Sequence, residues 1–350
     1  MKTPLNNLEA KEIRLRARPT GPVKEQDFEI ATTRVPEPQS GQILVRNSWM
    51  SLDPSARLRM KDEESSYLPR FEINAPLEGW AVGEVISSRS SDYVVGDQVW
   101  HGLGWREYAT LNIELTQGVQ HSVSKIKVSS TRPPEAYLGA LGWVGLTAYV
   151  GLLHVAQLKE NDVVFISGAG GAVGSLAVQI AKLRGHTVIA SAGTQAKCNF
   201  VSEVLGADYA FCYRERDSLE ALQEAAPEGI DVYFDNVGGS QLEAALESLR
   251  IGGRVALCGA ISSYNDNIPV GPSNLFNAIA KDLTLRGFLT RRFAHLLPEF
   301  QNQMSEWLSA GTVVYPQTVV DGISAVPEAF VGLMSGLNQG KMLANLRKEA

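Results

Sequence analysis

The sequence has few cysteines and no surplus of positive charge. Its 350 residues include only three cysteines, Cys198, Cys212 and Cys258, and their spacing matches no paired motif. Unpaired cysteines are usual in reducing compartments, so we expect a cytoplasmic protein. The net charge is −6 and no basic block occurs, which argues against nucleic acid as a partner.

Long apolar runs are also missing. Residues 1–19 contain no apolar core, so we expect neither a signal peptide nor a membrane anchor. No internal repeat or low-complexity segment occurs. The hydrophobic share of 44% and the charged share of 20% are those of an ordinary globular protein, and the length favours about two domains.

Metal-ligand patterns are missing as well. No cysteine precedes residue 198, and the histidines have no spacing that is typical of a metal site. We therefore expect no bound metal. The histidines are His101, His121, His154, His186 and His295.

The two parts of the chain differ in the secondary structure that their sequences predict. Up to about residue 135, short strand-like runs are separated by Gly, Pro, Asp or Ser, and their imperfect alternation favours a curled barrel. Beyond that point strands and helices alternate, which predicts a parallel, doubly wound α/β sheet. The strands of this sheet are predicted at 162–167, 187–191, 209–212, 230–235, 254–258 and 283–288.

The last part of the chain returns to strand-like runs, at 312–323 and 341–347. It has no layer of helices of its own, so we expect it to pack on the first part. The sequence thus predicts a β-rich domain of residues 1–135 and 312–350, with a nucleotide-binding domain of residues 136–311 inserted in it.

A glycine-rich turn follows the first strand of the α/β part. Counted from Gly168, the dinucleotide pattern G-x-G-x-x-G fails because Val173 stands in the last position. Moved by one residue, the pattern reads A-x-G-x-x-G and contains Gly171 and Gly174, while Gly168 and Gly170 would only add flexibility. Gly171 would then let the backbone approach a pyrophosphate, and Gly174 would let the helix pack on the strand. The alternative is a merely flexible turn.

The second strand of the α/β part ends without an acidic residue. An Asp or Glu there would bind the ribose hydroxyls of NAD and repel the 2′-phosphate of NADP. Residues 192–196 are uncharged instead, and Lys197 follows one helical turn later. A lysine paired with that phosphate contributes roughly 1.5–3 kcal/mol, although a solvated surface lysine is the alternative. The missing acid favours NADP(H) as the cofactor.

Further motifs extend over nearly the whole chain. They are SLDPSARLRM (51–60), LGWVGLTAYVGL (141–152), GAVGSLAVQIAKLRG (171–185), IDVYFDNVGG (230–239), RVALCGAISSYN (254–265), LRGFL (285–289) and GLNQGKMLANL (336–346). With them the chain resembles the double-bond reductase branch of the zinc-independent medium-chain dehydrogenases/reductases, which contains oxoprostaglandin, plant alkenal and bacterial curcumin reductases. The resemblance implies a Rossmann domain inserted in a β-rich, GroES-like domain, and a homodimer.

The resemblance also implies roles for individual residues. Lys197 and Tyr213 would bind the 2′-phosphate, and residues 258–264 would line the nicotinamide side. Residues 288–290 would meet the carboxamide, and Asn338 would reach the cofactor from the returning tail. The whole cofactor-binding set is Gly171, Ala172, Val173, Gly174, Thr194, Lys197, Tyr213, Asn236, Cys258, Gly259, Ala260, Ile261, Ser262, Ser263, Tyr264, Phe288, Leu289, Thr290 and Asn338.

The resemblance implies hydride transfer without a metal, since the G-H-E motif of the zinc enzymes is Glu78-Gly79-Trp80 here. Without a Lewis acid, alcohol oxidation loses the usual support of its alkoxide. Reduction of an α,β-unsaturated aldehyde or ketone needs less. Hydrogen-bond donors stabilise the negative charge on the carbonyl oxygen after hydride transfer to the β-carbon, and a proton then reaches the α-carbon. Tyr264 or a ribose hydroxyl of the cofactor could donate, and Tyr264 would be the catalytic residue. Alternatively, Tyr264 only packs over the cofactor.

Two positions depart from the family pattern. The family's D-P-Y-M-R has Ser55 in place of its tyrosine, and Trp143 replaces the methionine of G-M-P-G. Both changes put the substrate range in question. Three functions stay open, namely NADPH-dependent enal or enone reduction, quinone reduction, and non-enzymatic binding of NADPH in regulation.

Overall fold

The computed structural model describes residues 8–62, 68–114, 122–265 and 271–348. The chain forms two compact units, the first made of residues 1–138 and 317–350, the second of residues 139–316. No helix in the described part of the chain has both the length and the apolar character needed to cross a bilayer.

The strands are numbered in chain order. They are β1 Glu9–Leu15, β2 Phe28–Arg34, β3 Gln42–Ser51, β4 Ala81–Ser88, β5 Gln98–His101, β6 Tyr108–Asn112, β7 Val123–Lys125, β8 Val163–Ile166, β9 Thr187–Ala192, β10 Tyr209–Cys212, β11 Ile230–Asp235, β12 Leu249–Leu257, β13 Thr284–Gly287, β14 Gln317–Asp321 and β15 Lys341–Asn345. The α-helices are α1 Ala56–Arg59, α2 Trp143–Val150, α3 Ala172–Leu183, α4 Gln195–Glu203, α5 Ser218–Ala225, α6 Gly239–Ser248, α7 Asn277–Ala280, α8 Leu297–Ser309 and α9 Val326–Met334.

The first unit is built on a sheet of order β14-β15-β3-β4-β5-β7, with β6 also paired to β3. Strand β15 runs antiparallel to β3, with Leu343 opposite Ser51, so the returning tail extends this sheet. Helix α9, which the sequence pattern did not reveal, joins β14 to β15. Its Phe330 packs edge-on against Trp105, with ring centroids 5.5 Å apart, and Trp105 stacks on Phe28 at 6.0 Å.

The second unit contains a parallel sheet of order β10-β9-β8-β11-β12-β13. This is the strand order of doubly wound dinucleotide-binding domains. The predicted strands are found close to their expected positions. Strand β12, however, begins at Leu249 rather than at residue 254, because its first residue pairs with Ile230 before an irregularity in the register.

Three stacked aromatic rings belong to the hydrophobic core on one side of this sheet. The Phe165 ring lies 4.8 Å from the Tyr233 ring and 5.9 Å from the Phe211 ring. Helix α3 ends in a Schellman motif, in which His186 N donates to Ala181 O while Gly185, with φ of +81°, closes the turn. Since all the strands are parallel, the loops that follow them meet at one edge of the sheet.

Candidate functional site

Nearly all of the predicted cofactor residues lie at the carboxyl edge of the parallel sheet. Residues 171–174 follow β8, Thr194 and Lys197 follow β9, and Tyr213 follows β10. The remaining members follow the other strands: Asn236 after β11, Cys258, Gly259, Ala260, Ile261, Ser262, Ser263 and Tyr264 after β12, and Phe288, Leu289 and Thr290 after β13. The structure therefore brings these residues to one edge, where open α/β sheets bind ligands.

The glycine-rich turn joins β8 to α3. Gly171 is the N-cap residue of α3 and has no side chain to occupy the amide groups of the first turn. A Cβ at Gly174 would lie 2.4 Å from the Gly168 oxygen and 2.7 Å from the Ala169 Cα. Only glycine lets α3 pack this closely on the turn, which supports the A-x-G-x-x-G register. The amide groups at the start of α3 form an arrangement that suits a phosphate.

Two other glycines have roles that we did not expect. Gly168 has φ of +60°, in the left-handed region that favours glycine, and its oxygen accepts a hydrogen bond from Gly171 N at 3.0 Å. A Cβ at Gly170 would lie 3.2 Å from Cδ of Lys197 and 3.4 Å from its Cβ. The expectation that Gly168 and Gly170 only add flexibility is therefore wrong. Gly168 shapes the turn, and Gly170 leaves room for the stem of Lys197.

Several polar groups surround Gly193, just beyond the end of β9. Oγ1 of Thr194 accepts a hydrogen bond from Lys197 N at 3.3 Å and so caps α4. A Cβ at Gly193 would lie 3.3 Å from the Tyr213 hydroxyl and 3.6 Å from Nε of Arg214. Arg214 was missed by the sequence reasoning, although a second cation beside Tyr213 was visible there. Lys197 and Tyr213 thus lie at neighbouring strand ends, and their binding of a phosphate stays a prediction.

A buried carboxylate organises the loop after β11. Oδ1 of Asp235 accepts hydrogen bonds from the Tyr233 hydroxyl at 2.7 Å and from the two backbone amides after Asn236, at 2.9 and 2.7 Å. Asn236 itself donates from its backbone N to Oγ of Ser167 at 3.0 Å and from Nδ2 to the Ser167 oxygen at 2.8 Å. Burial raises the pKa of Asp235, while these hydrogen bonds act against the rise. The network fixes Asn236 against the end of β8.

The loop after β12 is held by the loop after β11. The backbone amides of Cys258 and Gly259 donate to the Asp235 oxygen at 2.9 and 3.0 Å. A short 3-10 turn over Ile261–Ser263 then brings back Tyr264, whose hydroxyl would lie 3.2 Å from a Cβ at Gly259. Burial, together with the Asp235 charge, raises the pKa of the Cys258 thiol to about 12. The Tyr264 hydroxyl therefore lies at the carboxyl edge of the parallel sheet. Cys258 is protonated at neutral pH.

The segment after β13 is held by α2 and the helical turn that continues it. Oγ1 of Thr147 donates to the Trp143 oxygen at 2.7 Å, so Thr290 is the donor of the 2.7 Å bond between the two threonine Oγ1 atoms. A Cβ at Gly151 would lie 3.0 Å from Cζ of Phe288. The departure at Trp143 is thus connected, through Thr147, to the segment expected to meet the carboxamide.

Two predicted features lie in the first unit. Asn338 is buried between α9 and β15, and its Nδ2 donates to the Gly340 oxygen at 2.7 Å. Its contact with a cofactor stays a prediction. Asp53 accepts a hydrogen bond from the buried Nζ of Lys341 at 3.0 Å, which ties the start of the Asp53–Arg57 motif to β15. Ser55, the departure from the family pattern, immediately precedes α1.

The described histidines have no metal site around them. Among the described residues, no three His, Cys, Asp or Glu side chains could hold a metal ion together, and His121 lies outside those residues. His101 is buried, with Nε2 2.9 Å from Oδ1 of Asn47 and Nδ1 accepting from Leu103 N at 3.1 Å. Burial and the Arg106 charge lower the pKa of His101 to about 3, so it is a neutral structural residue.

Comparisons with known proteins cover nearly the whole chain. Residues 11–119 match the family described as the N-terminal domain of oxidoreductase, and residues 172–310 match the family described as zinc-binding dehydrogenase. The NADP(+)-dependent 2-alkenal reductase of Nicotiana tabacum is 38% identical over 97% of this chain and 98% of its own length. The NADPH-dependent curcumin reductase of Escherichia coli is 35% identical over 94% of this chain, and 94% of that protein is covered.

Solved structures agree with the fold. The crystal structure of CurA from Vibrio vulnificus in complex with NADPH matches with a TM-score of 0.89 and 35% identity, over 97% of this chain and 100% of that one. The predicted fold, a β-rich part with an inserted parallel Rossmann sheet, is thereby confirmed.

Proposed function

The chain belongs to the double-bond reductase branch of the medium-chain dehydrogenase/reductase family, and from this we propose that it uses NADPH to reduce a carbon–carbon double bond. The substrates would be α,β-unsaturated aldehydes and ketones. The proposal rests mainly on the composition of the carboxyl edge of the parallel sheet in the second unit. This edge combines the phosphate turn before α3, the uncharged end of β9 and the Tyr264 hydroxyl.

The residues at this edge fit NADPH. The bare N-cap at Gly171 leaves the amides of the first turn of α3 for the pyrophosphate. Just beyond the end of β9, the Tyr213 hydroxyl lies beside Gly193, and Lys197 supplies a positive charge. No carboxylate follows β9 to repel a 2′-phosphate. We accordingly propose residues 139–316, which include Tyr264, as the NADPH-binding domain and the other unit as the GroES-like domain.

The residues of this chain would stabilise the negative charge that forms on the substrate during the reaction. When bound, NADPH supplies the hydride for the β-carbon of the substrate. Negative charge then develops on the substrate's carbonyl oxygen, and a donor already in place stabilises this charge better than water does. Tyr264 would be that donor, because a phenol carries its proton at neutral pH. The hydrogen bonds to Asp235 hold the loop that carries Tyr264.

The activity can be tested with a substrate panel. NADPH oxidation is followed with enals, enones and quinones, and each product is identified by mass. Saturated aldehydes or ketones support the proposal. Hydroquinones without enone reduction would favour quinone reduction instead, and NADPH binding without any turnover would favour a regulatory protein.

Tyr264 can be tested separately from the cofactor. We expect Tyr264→Phe to lower kcat for an enone at least tenfold, or about 1.4 kcal/mol of transition-state stabilisation, without changing the Kd of NADPH. Tyr209→Phe is the matched control, since it removes a phenol at the opposite, amino-terminal end of β10. Full turnover by Tyr264→Phe would remove it from the catalytic role.

We propose that the protein is a homodimer. Support comes from β13, which ends its sheet in the described chain, and from the residues just before it. The side chains of Phe276 and Ile279 are 73% and 77% exposed. Large apolar side chains beside an open sheet edge are typical of contacts between proteins. Light scattering should give the mass of two 38.0 kDa chains, and Ile279→Glu should shift it towards one.

We propose that the protein is located in the cytoplasm. Its substrates would be small molecules only. Cys198, Cys212 and Cys258 are all free thiols in the structure, which suits a reducing compartment. Cell fractionation with an antibody against the native protein tests the location, and activity in a membrane or secreted fraction would contradict it.

A further inference from the structure

Arg214 lies at the end of β10, beside the proposed binding site for the 2′-phosphate. A Cβ at Gly193 would lie 3.6 Å from Nε of Arg214 and 3.3 Å from the Tyr213 hydroxyl. The guanidinium carbon of Arg214 is 5.9 Å from the centre of the Tyr213 ring. The guanidinium of Arg214 and the hydroxyl of Tyr213 thus lie beside the same backbone position, Gly193. Both side chains are exposed to solvent.

Lys197 belongs to the first turn of α4, shortly after Gly193, and its backbone N donates to Oγ1 of Thr194 at 3.3 Å. Its stem lies across Gly170, where a Cβ would come within 3.2 Å of Cδ, and the side chain is half-buried. Burial lowers the pKa of Lys197, and the positive charge of Arg214 lowers it further. The charge of Arg214 therefore disfavours the protonated form of Lys197. An anion between them would replace this repulsion with two attractive contacts.

We propose that Arg214 is the second cation of the 2′-phosphate site, and that Arg214 and Lys197 together set the preference for NADPH over NADH. The inference rests on the proposed use of NADPH. A phosphomonoester on the 2′-oxygen of the adenosine ribose carries close to two negative charges at neutral pH, which two cations match better than one. The planar fork of an arginine also fits two phosphate oxygens at once, whereas a lysine acts as a point charge.

The chain offers a matched control two residues away. Arg216 belongs to the same loop but forms an ion pair with Glu224 and a hydrogen bond to Tyr209. Arg216→Gln and Arg214→Gln change the net charge equally, so any general electrostatic effect is common to both. Arg214→Lys keeps the charge and removes the fork, which separates charge from geometry.

The experiment measures the Kd of NADPH and of NADH by fluorescence titration, with 2′,5′-ADP and 5′-ADP as competing probes. We expect Arg214→Gln to weaken NADPH and 2′,5′-ADP at least tenfold, which corresponds to about 1.4 kcal/mol, and to leave NADH and 5′-ADP unchanged. Arg214→Lys should recover part of the loss, and Arg216→Gln should bind all four molecules like the unaltered protein. Equal losses for NADPH and NADH, or no loss for either, would overturn the role of Arg214.

The same titrations separate this inference from the proposed function. If the unaltered protein prefers NADPH and Lys197→Ala loses that preference while Arg214→Gln keeps it, only the role of Arg214 fails. If the unaltered protein binds NADPH and NADH equally, the proposed cofactor itself is wrong, and the inference fails with it.

Discussion

Replacing Gly174 with alanine should damage folding, whereas the same replacement at Gly171 should damage cofactor binding. A Cβ at Gly174 would meet three backbone atoms of the turn at 2.4, 2.7 and 2.8 Å. Ordinary contacts of this kind begin near 3.4 Å, so α3 and the turn must separate by about 1 Å. Over-packing of this size costs about 1–3 kcal/mol of the free energy of unfolding.

A Cβ at Gly171 meets only one atom, the Gly168 oxygen at 3.2 Å, and the backbone there has φ of −89° and ψ of −179°. Any L-residue adopts this conformation, so Gly171→Ala should cost at most about 1 kcal/mol as a poorer N-cap. The added methyl group would, however, occupy the approach to the pyrophosphate, and NADPH should bind at least tenfold more weakly, or about 1.4 kcal/mol.

Urea denaturation and NADPH titration of both variants test this contrast. We expect Gly174→Ala to lower the urea midpoint clearly while Gly171→Ala stays near the unaltered protein, with similar slopes in all three. The A-x-G-x-x-G assignment is refuted if Gly171→Ala binds NADPH normally, or if it unfolds as readily as Gly174→Ala.

Three further predictions concern His101, Cys258 and Asp235. His101 is neutral in the fold, with a pKa of about 3. The free energy of unfolding should therefore fall by on the order of 4 kcal/mol as the pH drops from about 6.5 towards 3. Urea titrations at several pH values test this, and the free energy of unfolding of His101→Gln should fall less over the same pH range. The thiol of Cys258, with its pKa raised to about 12, should resist iodoacetamide at pH 8 in the folded protein and react after denaturation, as followed by mass; labelling at the rate of a free thiol would contradict this. Asp235→Ala should weaken NADPH binding because the backbone amides of the loop after Asn236 lose their acceptor, and a Kd equal to that of the unaltered protein would show that this anchor is dispensable.

Much of the second unit could be predicted from local patterns. Each strand is a short apolar run between turn residues, and the alternation with helices is enough to give a parallel sheet. The start of β12 was misplaced because Gly252 and Gly253 interrupt the apolar run, while the strand ladder with β11 begins before them. In the first unit, α9 escaped notice because its apolar residues lie between two strand-like segments.

What the sequence by itself determined is the order of the elements, the phosphate turn and the absence of an acid after β9, since each depends on neighbouring residues along the chain. Only the tertiary structure decided which side chains of different loops meet. The sheet order sets β10 beside β9 and β11 beside β8, and this brings Arg214 to Gly193 and Ser167 to Asn236. The tertiary structure also gives a reason for the glycine at position 170. The stem of Lys197, from a helix more than twenty residues further along the chain, lies against Gly170. Contacts of this kind depend on the packing of the sheet, and no periodicity in the sequence records them.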